Sequence, residues 1–279
     1  MRNSQRSFIF VLFLLISFVS KAGSDSLFTF WNIKENNKGK MYLYWGYNRA
    51  AYSNSDIKFK GRDYDFEIFD VRATDRQTKF DWNLYFHPAK LTIPQTNLKF
   101  GYFFSDKYSF SVGVDHMKYV MDNTQSAKIT GTVPDSVFSG TYTNDDIKLD
   151  ESFLDYEHTD GLNYLNIELN RFDGLIDFKN IISLQSIVGL GVAALMPKTN
   201  AILFGRGRYD EFHLAGFGIN VKTGLNLRIG KYFFIQTEGK AGYINMPDIR
   251  PTKFSDEKAS QSFTFLEYTI LFGINVKVK

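Results

Sequence analysis

His116 stands beside Asp115 and two positions before Lys118, a grouping whose members can hold protons and bind anions. A histidine acting as general base needs a hydroxyl within hydrogen-bond reach to become the nucleophile. Here the residue two along from His116 is Lys118, not serine or threonine. In an extended segment Asp115 cannot orient His116, because neighbouring side chains of a strand point to opposite faces. His116 and Lys118 do share a face, and that pair suits the phosphates of a lipid headgroup. His87, His158 and His213 are scattered without ligand spacing, so no zinc site is expected. Between Met121 and Asp160, nine acidic residues (Asp122, Asp135, Asp145, Asp146, Asp150, Glu151, Asp155, Glu157, Asp160) outweigh Lys128 and Lys148. They lack the D-x-D-x-D-G order of a dedicated calcium loop and read as a solvated surface.

A second charged set is distributed differently. Glu168, Lys222, Arg228, Glu238, Lys240, Glu267 and Lys277 all fall on the polar phase of segments that alternate polar with apolar. From 215 to 228 the odd positions read Ala215, Phe217, Ile219, Val221, Thr223, Leu225, Leu227, and the even ones Gly216, Gly218, Asn220, Lys222, Gly224, Asn226, Arg228. Period two means an extended strand with unlike faces. Lys231–Asn245 repeats the pattern with Phe233, Ile235 and Tyr243 against Gln236, Glu238 and Lys240. Ser262–Lys279 repeats it with Leu266, Tyr268, Ile270, Phe272 and Ile274 against Glu267, Thr269 and Asn275. Strands of soluble proteins average about 5–6 residues, so runs of this length call for another solvent. A bilayer outside and a closed polar interior meet that need.

Reading backwards adds strands at Ile181–Met196, Leu162–Arg171, Lys107–Val120, Gln95–Phe104 and Lys40–Tyr52. Phe172–Asp177 reads as a short turn, and the outer loops as Ser53–Pro94, Met121–Gly161, Pro197–Glu211 and Met246–Gln261. The expected fold is therefore an all-β, antiparallel up-and-down transmembrane β-barrel of eight strands with extended extracellular loops. Ten strands is the alternative, because Asp56–Lys60 and Tyr64–Ala73, around Gly61, resemble a hairpin and Lys79–Phe86 reads as a further strand. Charges on both its faces (Asp65, Glu67, Asp70, Arg72) place it outside lipid.

Residues 1–22 read as a signal peptide: Arg2 and Arg6, an apolar run from Phe8 to Val19, then Ser20-Lys21-Ala22. Residues 23–39 are the periplasmic lead-in, and 40–279 the barrel. The formal charge of +3 consists of Arg2, Arg6 and Lys21, so the remainder is near neutral and no nucleic-acid partner is indicated. The absence of cysteine excludes disulfides and thiolate metal sites. An aromatic content of 17% suits the girdles of a barrel.

This layout resembles the small bacterial outer-membrane barrels of the OmpA/OmpX/OmpW type, and looks most like those of Bacteroidetes. The resemblance rests on Tyr44-Trp45-Gly46-Tyr47-Asn48-Arg49, Asp115-His116-Met117-Lys118-Tyr119-Val120 and Leu271–Lys279. It implies export to the outer membrane of a Gram-negative cell envelope by the barrel assembly machinery. Such barrels usually end on an aromatic residue; this chain ends Val278-Lys279, which leaves Tyr268, Phe272 and the alternating tail as the insertion signal. Lipid A deacylase barrels carry a His-x-Ser pair where this chain has His116-Met117-Lys118, and omptin-type proteases need Asp/His pairs across the barrel mouth.

An eight-stranded barrel is narrow enough for side chains to fill it. The inward charges then form a polar plug, and the expected function is non-enzymatic: a structural or surface-interaction role through the outer loops. Its expected partners are outer-membrane lipid and lipopolysaccharide, met through divalent ions or the basic Lys198, Arg206 and Arg208, and an envelope or host-surface protein. No cofactor, metal or catalytic set is implied. The alternatives are an enzyme modifying outer-leaflet lipid (lipid A) with His116 as base, and a narrow small-solute pore.

Overall fold

The computed structural model describes residues 28–30, 33, 36–87, 90, 93–134, 137–178, 181–205 and 209–278. The segment read as a signal peptide lies outside them, as do Asp135, Arg206 and Arg208. The elements in chain order are β1 (Phe28–Phe30), β2 (Lys40–Tyr52), β3 (Ser55–Lys60), β4 (Asp65–Val71), β5 (Ala73–Thr74), α1 (Trp82–Tyr85), β6 (Thr96–Phe103), β7 (Tyr108–Met121) and β8 (Ser126–Val133). They continue with β9 (Gly140–Lys148), β10 (Leu154–Phe178), β11 (Ile182–Leu203), β12 (Tyr209–Phe212), β13 (Gly216–Ile229), β14 (Phe233–Ile249) and β15 (Lys258–Lys277).

Eight strands close a ring. Antiparallel pairing runs β2-β6-β7-β10-β11-β13-β14-β15, and β15 returns to β2 from Phe265↔Tyr52 to Lys277↔Lys40. Closure leaves no strand edge in the ring, which a bilayer requires. Outward side chains form an apolar belt: Leu165 and Ile167 on β10, Val188, Leu190 and Val192 on β11, Phe217, Ile219 and Val221 on β13, Leu266 to Phe272 on β15. The two chain ends meet at one mouth, where the Val278 amide donates to the Gly39 carbonyl.

The hairpin of β3 and β4 does not enter the ring, and Lys79–Phe86 holds the helical turn α1 in place of a strand. β3 pairs with the top of β15 (Lys60↔Lys258 to Ile57↔Gln261), and β4 passes the sheet on to β8 and β9. Above β6, which begins at Thr96, the short β5 occupies the gap between β2 and β7. Segments read as open loops are thus an extension of the barrel wall. A bilayer needs about 9–11 residues of a tilted strand. The 25 residues of β10 and 22 of β11 exceed that twofold, so their excess stands clear of the belt.

Two expectations about turns are corrected. Phe172–Asp177 is strand, not turn: β10 runs to Phe178 opposite Ile182, with an irregularity at Gly174/Ile176, and β1 pairs with its end. Pro197–Glu211 is largely strand as well, since β11 continues to Leu203 and β12 returns beside it. Pro197 is accommodated opposite Leu162, where β10 bulges between Glu157 and Leu162. Gly161 has φ +137° there, a conformation that other residues rarely adopt.

Candidate functional site

Inward positions of six ring strands bring an ionic cluster together at the centre of the lumen. Glu168 of β10 forms ion pairs with Lys99 of β6 at 2.6 Å, Lys222 of β13 at 2.7 Å and Lys240 of β14 at 3.1 Å. Lys222 also meets Glu238 at 2.8 Å, and Lys240 meets Glu267 of β15 at 3.3 Å and Asp115 of β7. Lys99 reaches Asp115 at 3.4 Å. All seven are buried. Burial of charge is tolerated only with partners and hydrogen bonds for the remaining lone pairs. Amides supply these: Asn97 donates to Asp115 (2.6 Å) and Glu267 (2.9 Å), Asn166 to Asp115 (2.8 Å), and Gln236 to Glu238 (2.6 Å). Three ammonium groups face four carboxylates, so the cluster carries one formal negative charge in excess.

Glycine makes room for it. A Cβ on Gly191 would lie 2.7 Å from the Glu168 Cγ and 2.8 Å from the Asn220 Oδ1. Toward the chain-end mouth the lumen is closed by Tyr42, Tyr44, Phe103, Phe172 and Phe234, with Ile187 and Leu271. Tyr42 lies across Gly101, where a Cβ would come within 2.0 Å of its ring. The space left among these side chains is about 10 Å³, room for about one water.

Of the residues singled out from the sequence, Glu168, Lys222, Glu238, Lys240 and Glu267 come together in the cluster. Arg228 and Lys277 do not join it, which corrects their place in the cluster: Arg228 lies beside the aromatic layer and Lys277 at the rim. Arg228 donates to the Asn37 Oδ1 at 3.0 Å, Lys277 is exposed opposite Lys40, and both line the chain-end mouth with Lys231 and Asp177. Alternation carries them to the right face but not to the right depth. Lys99 and Asp115 were missed. The same period-two reading finds them, since Lys99 is in phase with Asn97 and Gly101, and Asp115 with Ser109, Ser111 and Gly113.

His116 and Lys118 point outward from β7, yet both are buried, because the chain around Ile93 covers them. Lys118 donates to the Ile93 carbonyl at 2.7 Å, and the His116 Nδ1 lies 2.8 Å from the Asn163 Oδ1. An amide oxygen accepts, so Nδ1 carries the proton and Nε2 is an acceptor. With Thr159, Asp160, Asn163, Lys198 and Phe212 they line an outer-wall groove of about 410 Å³. Lys198 and Asp160 are paired at 3.1 Å.

Above the ionic layer the lumen becomes largely apolar, with a polar knot around Gln261. Its amide nitrogen donates to the Ser55 Oγ (2.8 Å) and the Tyr119 hydroxyl (2.7 Å). Its oxygen faces the Tyr156 hydroxyl (3.4 Å) and the His158 Nε2 (3.5 Å), while the His158 Nδ1 takes the Thr199 hydroxyl at 2.9 Å. Outside the wall at this height the residues are charged: Arg76 pairs with Glu157 at 2.9 Å. This stretch of β10 therefore lies beyond the apolar belt. Burial drives the His158 pKa down to about 4. Among the described residues, no group of three or more histidine or acidic side chains is placed to hold a metal ion.

No family model and no curated protein matches the chain. Among solved structures it is similar to the outer membrane protein OprG from Pseudomonas aeruginosa (11% identity, 88% of this chain and 100% of that one, TM-score 0.40). Neisserial surface protein A is also similar (12%, 88% and 100%, TM-score 0.34), as is the outer membrane protease OmpT from Escherichia coli (7%, 88% and 99%, TM-score 0.33). At such scores the likeness is one of outline, and the fold rests on the closed ring.

Proposed function

We propose that the protein is a non-enzymatic outer-membrane barrel whose ring is a closed anchor and whose folded extension meets partners at the cell surface. The observation that carries this reading is the ionic cluster tied across the lumen, backed by the aromatic layer beneath it. A channel would need these seven charges apart, and separating buried ion pairs leaves charge without compensation. In this orientation the chain-end mouth faces the periplasm, the mature chain having been exported behind its signal peptide and inserted by the barrel assembly machinery. The extension, with acidic Asp145, Asp146 and Glu151 on its surface, faces outward toward lipopolysaccharide or an envelope or host-surface protein. The groove of His116 and Lys118 lies where the outer leaflet would meet the wall, and its lysines, Lys118 and Lys198, suit headgroup phosphates. The test is single-channel recording of the refolded protein in planar bilayers. A silent protein with heat-modifiable gel mobility is expected; stepwise conductance would overturn the closed anchor in favour of a narrow pore.

A further inference from the structure

Between β5 and β6 the chain leaves the rim and turns back down the outside of the wall. Asp75 fixes the start, holding the outward Arg49 of β2 at 2.7 Å. The next outward residues of β2 toward the chain-end mouth are Tyr47 and Trp45, two and four positions below. At about 3.3 Å per residue they lie roughly 7 and 13 Å further along the strand. Tyr85 packs its ring on Tyr47 at 4.8 Å, with the Tyr47 hydroxyl donating to the Tyr85 carbonyl, and Phe86 meets Trp45 at 6.5 Å. α1, capped by the Asp81 carboxylate on the Leu84 amide (2.9 Å), is therefore set beside the belt and below the charged rim.

Its far side is the unusual part. Phe80, Trp82 and Phe86 are 63%, 71% and 51% exposed. They touch one another, Phe80 to Trp82 at 5.4 Å and Trp82 to Phe86 at 5.0 Å. Exposed apolar residues are ordinary singly, but a contiguous aromatic face is not. It is also built rather than loose, since the Tyr85 hydroxyl donates to the Thr78 carbonyl at 2.6 Å. Polar Lys79, Asp81 and Asn83 alternate with the aromatics. Aromatic rings with polar neighbours suit the headgroup–acyl boundary.

We propose that residues 76–87 form an interfacial anchor that inserts Phe80, Trp82 and Phe86 into the outer leaflet of the bilayer that the ring crosses. Lipid is the occupant because the aromatic face continues the ring's own belt: Phe86 packs on Trp45, and Trp45 is in register with the exposed Leu98 and Phe272. The proposal rests on the reading of the ring as membrane-embedded, and the test separates the two.

Two variants of the mature chain are refolded into phosphatidylcholine vesicles and checked by heat-dependent gel mobility. One keeps Trp82 alone (Trp31→Phe, Trp45→Phe); the other keeps Trp45 alone (Trp31→Phe, Trp82→Phe). In lipid brominated near the headgroup both tryptophans are expected to lose emission, and Trp82 is expected to be blue-shifted and shielded from iodide. Loss of Trp45 emission with Trp82 open to iodide and untouched by bromolipid would overturn the anchor. So would a Trp82 shielded from both quenchers, which would place protein, such as a second copy, on this face. If Trp45 also escaped bromolipid, the membrane reading itself would fail.

Discussion

The ring and its extension share the long strands β10, β11, β14 and β15 and are inside out with respect to each other. In the ring, outward positions are Val188, Leu190, Ile219 and Val221, and inward positions are Lys99, Glu168, Lys222 and Lys240. In the extension, outward positions are Asp56, Lys58, Lys60 and Lys128, and the inward ones Ile57, Phe59, Phe66, Ile68 and Ile129 form an apolar core. One strand can do both. β10 holds Glu168 and Asn166 inside the ring, and Tyr156 with the buried His158 inside the extension. The bulge between Glu157 and Leu162 adds two residues and leaves the inward phase unchanged, so the surroundings decide which phase of the alternation carries the apolar residues. Lipid outside permits charge inside a sealed lumen, whereas water outside requires a hydrophobic core.

The comparison is broken most severely from within the ring. Lys240 is held by Asp115, Glu168 and Glu267. Lys240→Met leaves four buried carboxylates against two ammonium groups. Breaking a buried pair costs about 3–5 kcal/mol, and the upper part of that range is expected. Glu168→Leu removes as many contacts but leaves three against three, so it should cost less. Denaturant unfolding of both variants in lipid vesicles measures the order. If Glu168→Leu proved the more damaging, local contact rather than charge balance would govern the plug.

The next effect exchanges faces. Val221 lies mid-belt on β13, and Val221→Lys should cost about 2–4 kcal/mol, as expected for a cation at the bilayer midplane. Thr132→Lys, outward on β8 opposite Asp65, should stay within about 0.5 kcal/mol. The same unfolding measurement compares them; equal costs would mean that the two exteriors share one solvent.

The ring was legible because its signal is local. Alternation from Ala215 to Arg228 needs no partner to be read, and the inward phase gave Glu168, Lys222, Glu238, Lys240 and Glu267. Lys99 and Asp115 are equally readable, since each keeps the inward phase of its own strand, β6 and β7. Depth was not legible: Arg228 and Lys277 keep the inward phase but sit toward the chain-end mouth, away from the cluster, because phase says nothing about distance along the axis. The extension was hidden for another reason. Its strands are joined by pairings between distant segments, Ile57 with Gln261 and Asp65 with Thr132, and no local pattern announces them. Asp173, Gly174 and Asp177 look like a turn for the same reason; β11 and β1 hold them as strand.

The smallest effect tests where the polar lumen hands over to the apolar one. His158 sits at that junction, fully buried between Tyr119 and Tyr156, with ring centroids at 5.6 and 5.0 Å. The Gln261 amide is committed to Ser55 and Tyr119, so its oxygen faces the His158 Nε2 and fits a neutral ring with its proton on Nε2. Burial lowers its pKa from 6.5 to about 4, so between these values the unfolded chain binds a proton that the folded one refuses. Stability from this group is complete above about pH 6.5 and declines as the pH falls toward 4, with a total of at most about 3 kcal/mol. Below pH 4 this contribution stops changing, because both states are protonated. His158→Gln removes the titration, so its unfolding free energy should vary less between pH 6.5 and 4 than that of the parent protein. A parent profile that is flat there, or a variant profile equally steep, would mean that water reaches His158 and that the polar lumen extends above the ring.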